Sequence, residues 1–195
     1  MALVLASESP RRRELLAKLG VPFEIRTLPV CEYRQGDFPP FELPVRNAEL
    51  KAACVAARYP QNVVLGVDTV IVFGDRIIGK PADAADAKRT LLELAGKPHC
   101  VVTGLALLRA CDDTRIMWSE TTRVTFKAYS AAIADEYMRF VNVLDKAGSY
   151  AIQEHGDMLV DRVEGDVDNV IGLPLGRLKR ELAELGLAGK PDNDE

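Results

Sequence analysis

Apolar residues recur along this chain in two rhythms, short unbroken runs and positions three or four apart, and the alternation between them sets the expected elements. The run Ala2 to Ala6 predicts a buried strand. It leads into a helix start, with Ser9 as N-cap, Pro10 at the first helical position and Gly20 as a stop. Phe23 to Thr27 predicts a second strand, and the proline-bearing stretch 28–43 a loop. Val45, Ala48, Ala52 and Val55 have helical spacing within Pro44 to Arg58. The segment 63–79 is a long apolar strand, a tight turn at Gly74-Asp75 and a short return strand. Ala82 to Ala95 is helical, closed by Gly96. Two β-rich runs, 99–109 and 115–126, flank Cys111 to Thr114 as a long hairpin. A helix over 130–140 and short strands at Met158–Val163 and Asn169–Ile171 precede a final helix. That helix starts at Pro174, with Leu175, Leu178, Leu182 and Leu185 on one face.

Strands and helices interleave, but hairpins interrupt the alternation, so the expected fold is α/β with a mixed sheet flanked by helices. No internal repeat divides the chain. Its 195 residues suit one well-buried core, expected over 1–185, and the polar end 186–195 predicts a disordered tail.

Charge narrows the classes of partner. A net charge of -4 and an aromatic content of 6% argue against nucleic-acid binding. Acidity overall still permits a local basic cleft. The four cysteines (Cys31, Cys54, Cys100 and Cys111) are dispersed, which fits a reducing compartment. His99 and His155 lack zinc-ligand spacing, and His99 beside Cys100 reads as core packing. The first apolar run is too short for a signal peptide, and no stretch reaches the roughly 20 apolar residues of a membrane span. A cytoplasmic protein without membrane association is expected.

Two local anomalies carry chemistry. In ASESPRRRELL (6–16), three arginines occupy the first turn of a helix, where the macrodipole disfavours cations. Free N–H groups and guanidinium forks at a strand-to-helix turn can cradle phosphate; the alternative is a solvated basic helix start. Asp68 interrupts the apolar run Val63–Phe73, and a carboxylate buried there must be paired, bound to a metal or satisfied by backbone N–H groups. Such a group is a candidate general base or metal ligand. Lys80 in Gly79-Lys80-Pro81 is by itself an ordinary surface lysine. LDKAGSYAIQ (144–153) has the composition of a binding loop, with Asp145 and Lys146 before a Gly-Ser turn and Gln153 after it. Spacing alone thus reaches an anion site with a carboxylate.

In order along the chain, the segments ASESPRRRELL (6–16), LKAA (50–53), GVDTVIVF (66–73), GKP (79–81), KPHCVVTG (97–104), LDKAGSYAIQ (144–153) and NVIGLPL (169–175) resemble the Maf family of nucleoside triphosphate pyrophosphatases. The resemblance runs from Leu3 to about Leu185. It implies an α/β fold like that of inosine triphosphatases, with an elongated mixed sheet, flanking helices and a deep central cleft. It also implies that Asp68 is the catalytic carboxylate activating the attacking water. Ser7, Arg12, Lys51 and Lys80 align with residues holding the triphosphate, and Glu32 with an acidic position serving metal or water. A divalent cation, magnesium or manganese, and a homodimer are further implications of the family. In-line attack on the α-phosphorus would release pyrophosphate from a nucleoside triphosphate.

The chain has Arg11, Thr69 and Gln153 at three positions that differ between subgroups of the family. This trio resembles the subgroup acting on dTTP and UTP, with house-cleaning of modified nucleotides as an associated role. A glutamine amide offers a donor and an acceptor that match the O4 and N3–H edge of uracil or thymine. The sister subgroup, acting on 7-methyl-GTP, carries an aromatic, a glutamine and a glutamate there. The loop at Cys31-Glu32-Tyr33 lacks the family's acidic doublet, and Gly165-Asp166-Val167-Asp168 is more acidic than the usual version. A nucleotide-sensing regulator of septum formation is the alternative from another class.

Overall fold

The structure is a computed structural model that describes residues 1–187. Among the described residues, seven strands form a mixed sheet in the order β2-β1-β3-β5-β6-β7, with β4 paired to β3. These are β1 (Leu3–Leu5), β2 (Phe23–Ile25), β3 (Val63–Phe73), β4 (Arg76–Ile78), β5 (Pro98–Arg109), β6 (Thr114–Phe126) and β7 (Val160–Glu164). Among the described residues, six α-helices accompany them: α1 (Pro10–Ala17), α2 (Leu43–Arg58), α3 (Ala84–Leu94), α4 (Ala131–Phe140), α5 (Val167–Ile171) and α6 (Leu175–Glu184). The α/β class and mixed sheet are as expected: β1 runs parallel to both β2 and β3, whereas β3–β4 and β6–β7 are antiparallel.

The chain forms two compact units. Of the described residues, one contains Met1–Asp68, Thr103–Glu120 and 172–187; the other contains Thr69–Val102 and Thr121–Ile171. In the first, β1 and β3 are fully buried over Leu3–Leu5 and Val63–Leu65. Ala48, Ala52 and Val55 of α2 pack with Val4, Val64 and Ala106, so the helical spacing in the sequence is the face that is buried. In the second, Leu91 and Leu94 of α3, Tyr137 of α4, Phe126 of β6 and Tyr150 share one core.

One expected element differs. Asn169–Ile171 is not a strand but part of α5. The Asp166 carboxylate accepts from the Asp168 N–H at 2.8 Å, and the Asp166 carbonyl accepts from Val170 at 3.4 Å, so Asp166 starts a helical turn. Asn169 is buried and donates to the Val101 carbonyl and to Thr122 Oγ1, both at 3.0 Å. At the other end of the chain, Gly186 and Leu187 close α6 through N–H bonds to Ala183 and Leu182. The remainder of the expected tail, 188–195, lies outside the described residues.

His99 is core, as the sequence suggests. Its ring is 2% exposed, meets Phe126 and Tyr150 edge-on, and bonds the Tyr150 hydroxyl at 2.8 Å through Nε2. Burial lowers its pKa from 6.5 to about 4. Between those values the unfolded chain binds a proton that the folded chain refuses, so stability rises with pH across this window and falls on acidification. The loss from His99 is expected to reach about 3 kcal/mol by pH 4. Urea titrations of wild type and His99→Gln from pH 7 to pH 4 check this, the variant showing the flatter profile; parallel profiles would contradict it.

Candidate active site

In the parallel register of β1 and β3, Leu5 lies opposite Leu65, and the Ala6 N–H extends the pairing to the Leu65 carbonyl at 2.8 Å. There β1 ends and the chain turns into α1, whereas β3 continues through Val67 and Asp68. The carboxylate therefore stands beyond its neighbour's last paired residue, where an acid in an apolar strand escapes full burial. Its side chain is 13% exposed.

The turn into α1 is held by its serines. Ser9 caps the helix by accepting from the Arg12 N–H, and the Ser7 hydroxyl accepts from the Ser9 N–H at 3.3 Å. Half-buried Arg12 is a cross-link: its guanidinium donates to Ser7 Oγ at 3.2 Å, the Val67 carbonyl at 3.1 Å and the Gly172 carbonyl at 3.1 Å. Burial pulls its pKa below the ordinary arginine value; the charges of Asp68 and Glu32 act against that pull, and Arg11 adds to it. The cation thus sits in the field of both acids.

On the other side, α2 supplies Asn47 and Lys51, four residues apart and so on one face. The Lys51 ammonium lies 2.8 Å from Asp68 Oδ1 and 3.0 Å from Glu32 Oε2, and its side chain is 17% exposed. Two carboxylates from distant segments thus converge on one cation. Their oxygen donor set suits magnesium or manganese, which take one or two carboxylates when phosphates and waters supply the rest. Among the described residues, no group of three or more His, Cys, Asp or Glu side chains is arranged to hold a metal unaided.

Asn47 is a site residue that sequence reasoning missed. It is 3% exposed; its Oδ1 accepts from the Tyr33 N–H at 2.8 Å, and its Nδ2 donates to the Tyr33 carbonyl at 3.2 Å and to Asp68 Oδ2 at 3.4 Å. One amide ties the loop carrying Glu32 to the carboxylate at 68. The available signal was a polar residue next to the apolar stripe and one turn before Lys51. Asn47→Ala strands both Tyr33 backbone groups, with an expected loss of about 2 kcal/mol. Hydrogen exchange at the Tyr33 amide should quicken; undiminished protection would show that something else holds the loop.

Ser7, Arg12, Glu32, Lys51 and Asp68 are thus together in the first unit, with Arg11 beside Arg12 on α1. Thr69, Lys80 and Gln153 belong to the second. There Thr69 is half-buried on β3, exposed Lys80 follows β4, and exposed Gln153 ends the 144–153 segment.

Comparison with known proteins supplies the family of the chain. The family profile described as Maf-like protein matches residues 2–185. The chain belongs to the Maf family. A relative from Akkermansia muciniphila, named dTTP/UTP pyrophosphatase, is 41% identical over 184 residues, covering 94% of this chain and 96% of its own. Relatives with the same name from Bacillus cereus and Bacillus cytotoxicus are 41% and 42% identical, covering 95% and 93% of this chain and 96% and 94% of their own. A solved structure, the Ham1 protein of Staphylococcus aureus, matches with a TM-score of 0.47 at 13% identity, covering 65% of this chain and 72% of that one. Among the described residues of this Maf protein, no helix is long and apolar enough to cross a membrane.

Proposed function

We propose that this Maf protein is a nucleoside triphosphate pyrophosphatase that converts dTTP and UTP to the monophosphate and pyrophosphate. The observation that carries the chemistry is the carboxylate of Asp68, anchored between Lys51 and Asn47 where β3 outruns β1. The names of relatives about 41% identical over nearly the whole chain supply the substrate.

In the proposed reaction, Asp68 accepts a proton from water as the water oxygen bonds to the α-phosphorus. The bond from that phosphorus to the bridging oxygen breaks, and pyrophosphate leaves with the electron pair. Ser7, Arg12, Lys51 and Lys80 are assigned to the phosphate oxygens, on whose charge preorganised cations act most strongly in the transition state. Motif resemblance and the geometry around Asp68 support the first three; motif resemblance supports Lys80. A magnesium or manganese ion held by Glu32 and Asp68 would neutralise phosphate charge and polarise the phosphoryl group. Arg11, Thr69 and Gln153 are assigned to discrimination among bases, Gln153 through its paired amide donor and acceptor. A homodimer and a cytoplasmic location complete the proposal, the latter supported by four free cysteines, two of them exposed.

The test is a substrate panel with magnesium: UTP and dTTP should exceed ATP, GTP and 7-methyl-GTP by at least about tenfold in kcat/KM. A preference for 7-methyl-GTP would overturn the substrate assignment, and failure to release pyrophosphate from any of them would overturn the activity.

A further inference from the structure

Lys146 lies outside the residues assigned to the reaction and is among the few charged groups buried in this protein. Its side chain is 4% exposed. An ammonium has three N–H donors, and here three oxygens meet it: the Asn142 carbonyl at 2.8 Å, Asp145 Oδ1 at 2.9 Å and Glu154 Oε1 at 3.3 Å. A buried ion pair of this kind is weak evidence for stability, because desolvation offsets much of the attraction. In some proteins such a pair selects one conformation.

The conformation selected here is unusual. Residues 147–149 form a single tight turn in which Gly148 and Ser149 both have positive φ, 68° and 64°. A Cβ on Gly148 would stand 2.3 Å from Ile71 Cδ1, and Ser149 is fully buried with its hydroxyl unbonded. Such a backbone persists only where its surroundings over-determine it. Three contacts then hold residues 146–154. The Gly148 N–H donates to the Gly79 carbonyl at 3.0 Å, which fixes the peptide preceding Lys80. The Tyr137 hydroxyl accepts from the Ala151 N–H at 3.0 Å, and Glu154, the residue after Gln153, returns to Lys146.

We propose that Lys146 is a positioning residue that sets Lys80 and Gln153 with one strut, so that reading the base and holding the phosphates share a support. The inference rests on the roles given to Lys80 and Gln153 above. It explains why a lysine is buried in a loop whose neighbours on either side do the binding, and why its third partner is the residue next to Gln153.

The test compares variants by kcat and by the ratio of kcat/KM for UTP over ATP. Lys80→Ala should lower kcat for both nucleotides and leave the ratio; Gln153→Ala should lower the ratio. Lys146→Met should do both, with kcat on UTP falling about 10- to 100-fold and the ratio moving toward one, whereas Lys146→Arg keeps most of each. Glu154→Gln, which leaves the lysine in place, should lower the ratio alone, and it serves as the measure if Lys146→Met does not fold. A Lys146→Met protein that melts earlier but keeps kcat and ratio, or an unchanged ratio in Glu154→Gln, overturns the strut while the pyrophosphatase reading stands. No pyrophosphate from wild type and UTP overturns that reading and the strut with it; no effect of Lys80→Ala and Gln153→Ala overturns the roles given to those two residues, and so the strut, while the pyrophosphatase reading stands.

Discussion

Asp68→Asn should lower pyrophosphate release from UTP by about a thousandfold, the scale of a lost general base. The substitution keeps the shape of the side chain, and the remaining amide oxygen can still accept from Lys51, which also retains Glu32. What changes is the far side: an amide nitrogen then faces the Asn47 amide nitrogen, which now donates to Asp68 Oδ2 at 3.4 Å. That contact is long and partly exposed, so the fold should lose no more than about 1 kcal/mol. Nucleotide affinity, measured by calorimetry with UTP and a chelator so that the ion assigned to Glu32 and Asp68 plays no part, should stay within a few-fold of wild type, because Ser7, Arg12, Lys51 and Lys80 are untouched. This separation of turnover from binding identifies a base; a variant retaining more than about a tenth of the rate would require the proton to go elsewhere.

The residues that made the fold readable are those whose local pattern and tertiary role agree. Leu3 to Leu5 form a continuous apolar run because both neighbours of β1 are strands, and Ser9 and Pro10 mark a helix start that the cap bond realises. The Asn169 segment reads differently because a three-residue stretch with two apolar residues carries no period long enough to separate strand from helix, and the cap at Asp166 decides it. Within the candidate site, Asp68 is conspicuous because it breaks a pattern. Glu32 and Asn47 are not, since Glu32 joins Asp68 only through Lys51 and Asn47 is tied to Tyr33 only by the course of the 28–42 loop, which has no periodicity at all. Lys146 shows a third limit. A lysine in a polar loop has the look of a solvated residue, and only the three oxygens around its ammonium distinguish it.

The second large effect is expected at a residue with no functional group. Gly66 lies two positions before Asp68 on β3, and a Cβ there would stand 2.0 Å from the Ala48 carbonyl oxygen and 2.9 Å from Ala52 Cβ. Gly104 on β5 makes the same kind of window, its Cβ falling 2.2 Å from the backbone at Pro44 and Val45. Both openings lie under α2, the helix that carries Asn47 and Lys51. The close approach they permit is what lets the Asn47 and Lys51 side chains reach Asp68. A methyl group at 66 meets backbone, which has no rotamer to yield, so α2 must lift. Gly66→Ala is therefore expected to destabilise by about 3 kcal/mol, roughly 6–12 °C in melting temperature for a domain of this size. Displacing Lys51 and Asn47 by even about 1 Å should add a fall of about a hundredfold in kcat/KM measured well below the new melting point. Gly176→Ala on α6, where a Cβ meets nothing within 4 Å, is the control and should be neutral or slightly stabilising. If Gly66→Ala melts early yet works at the wild-type rate in the cold, the helix has room to relax without moving its site residues, and the glycines serve packing alone.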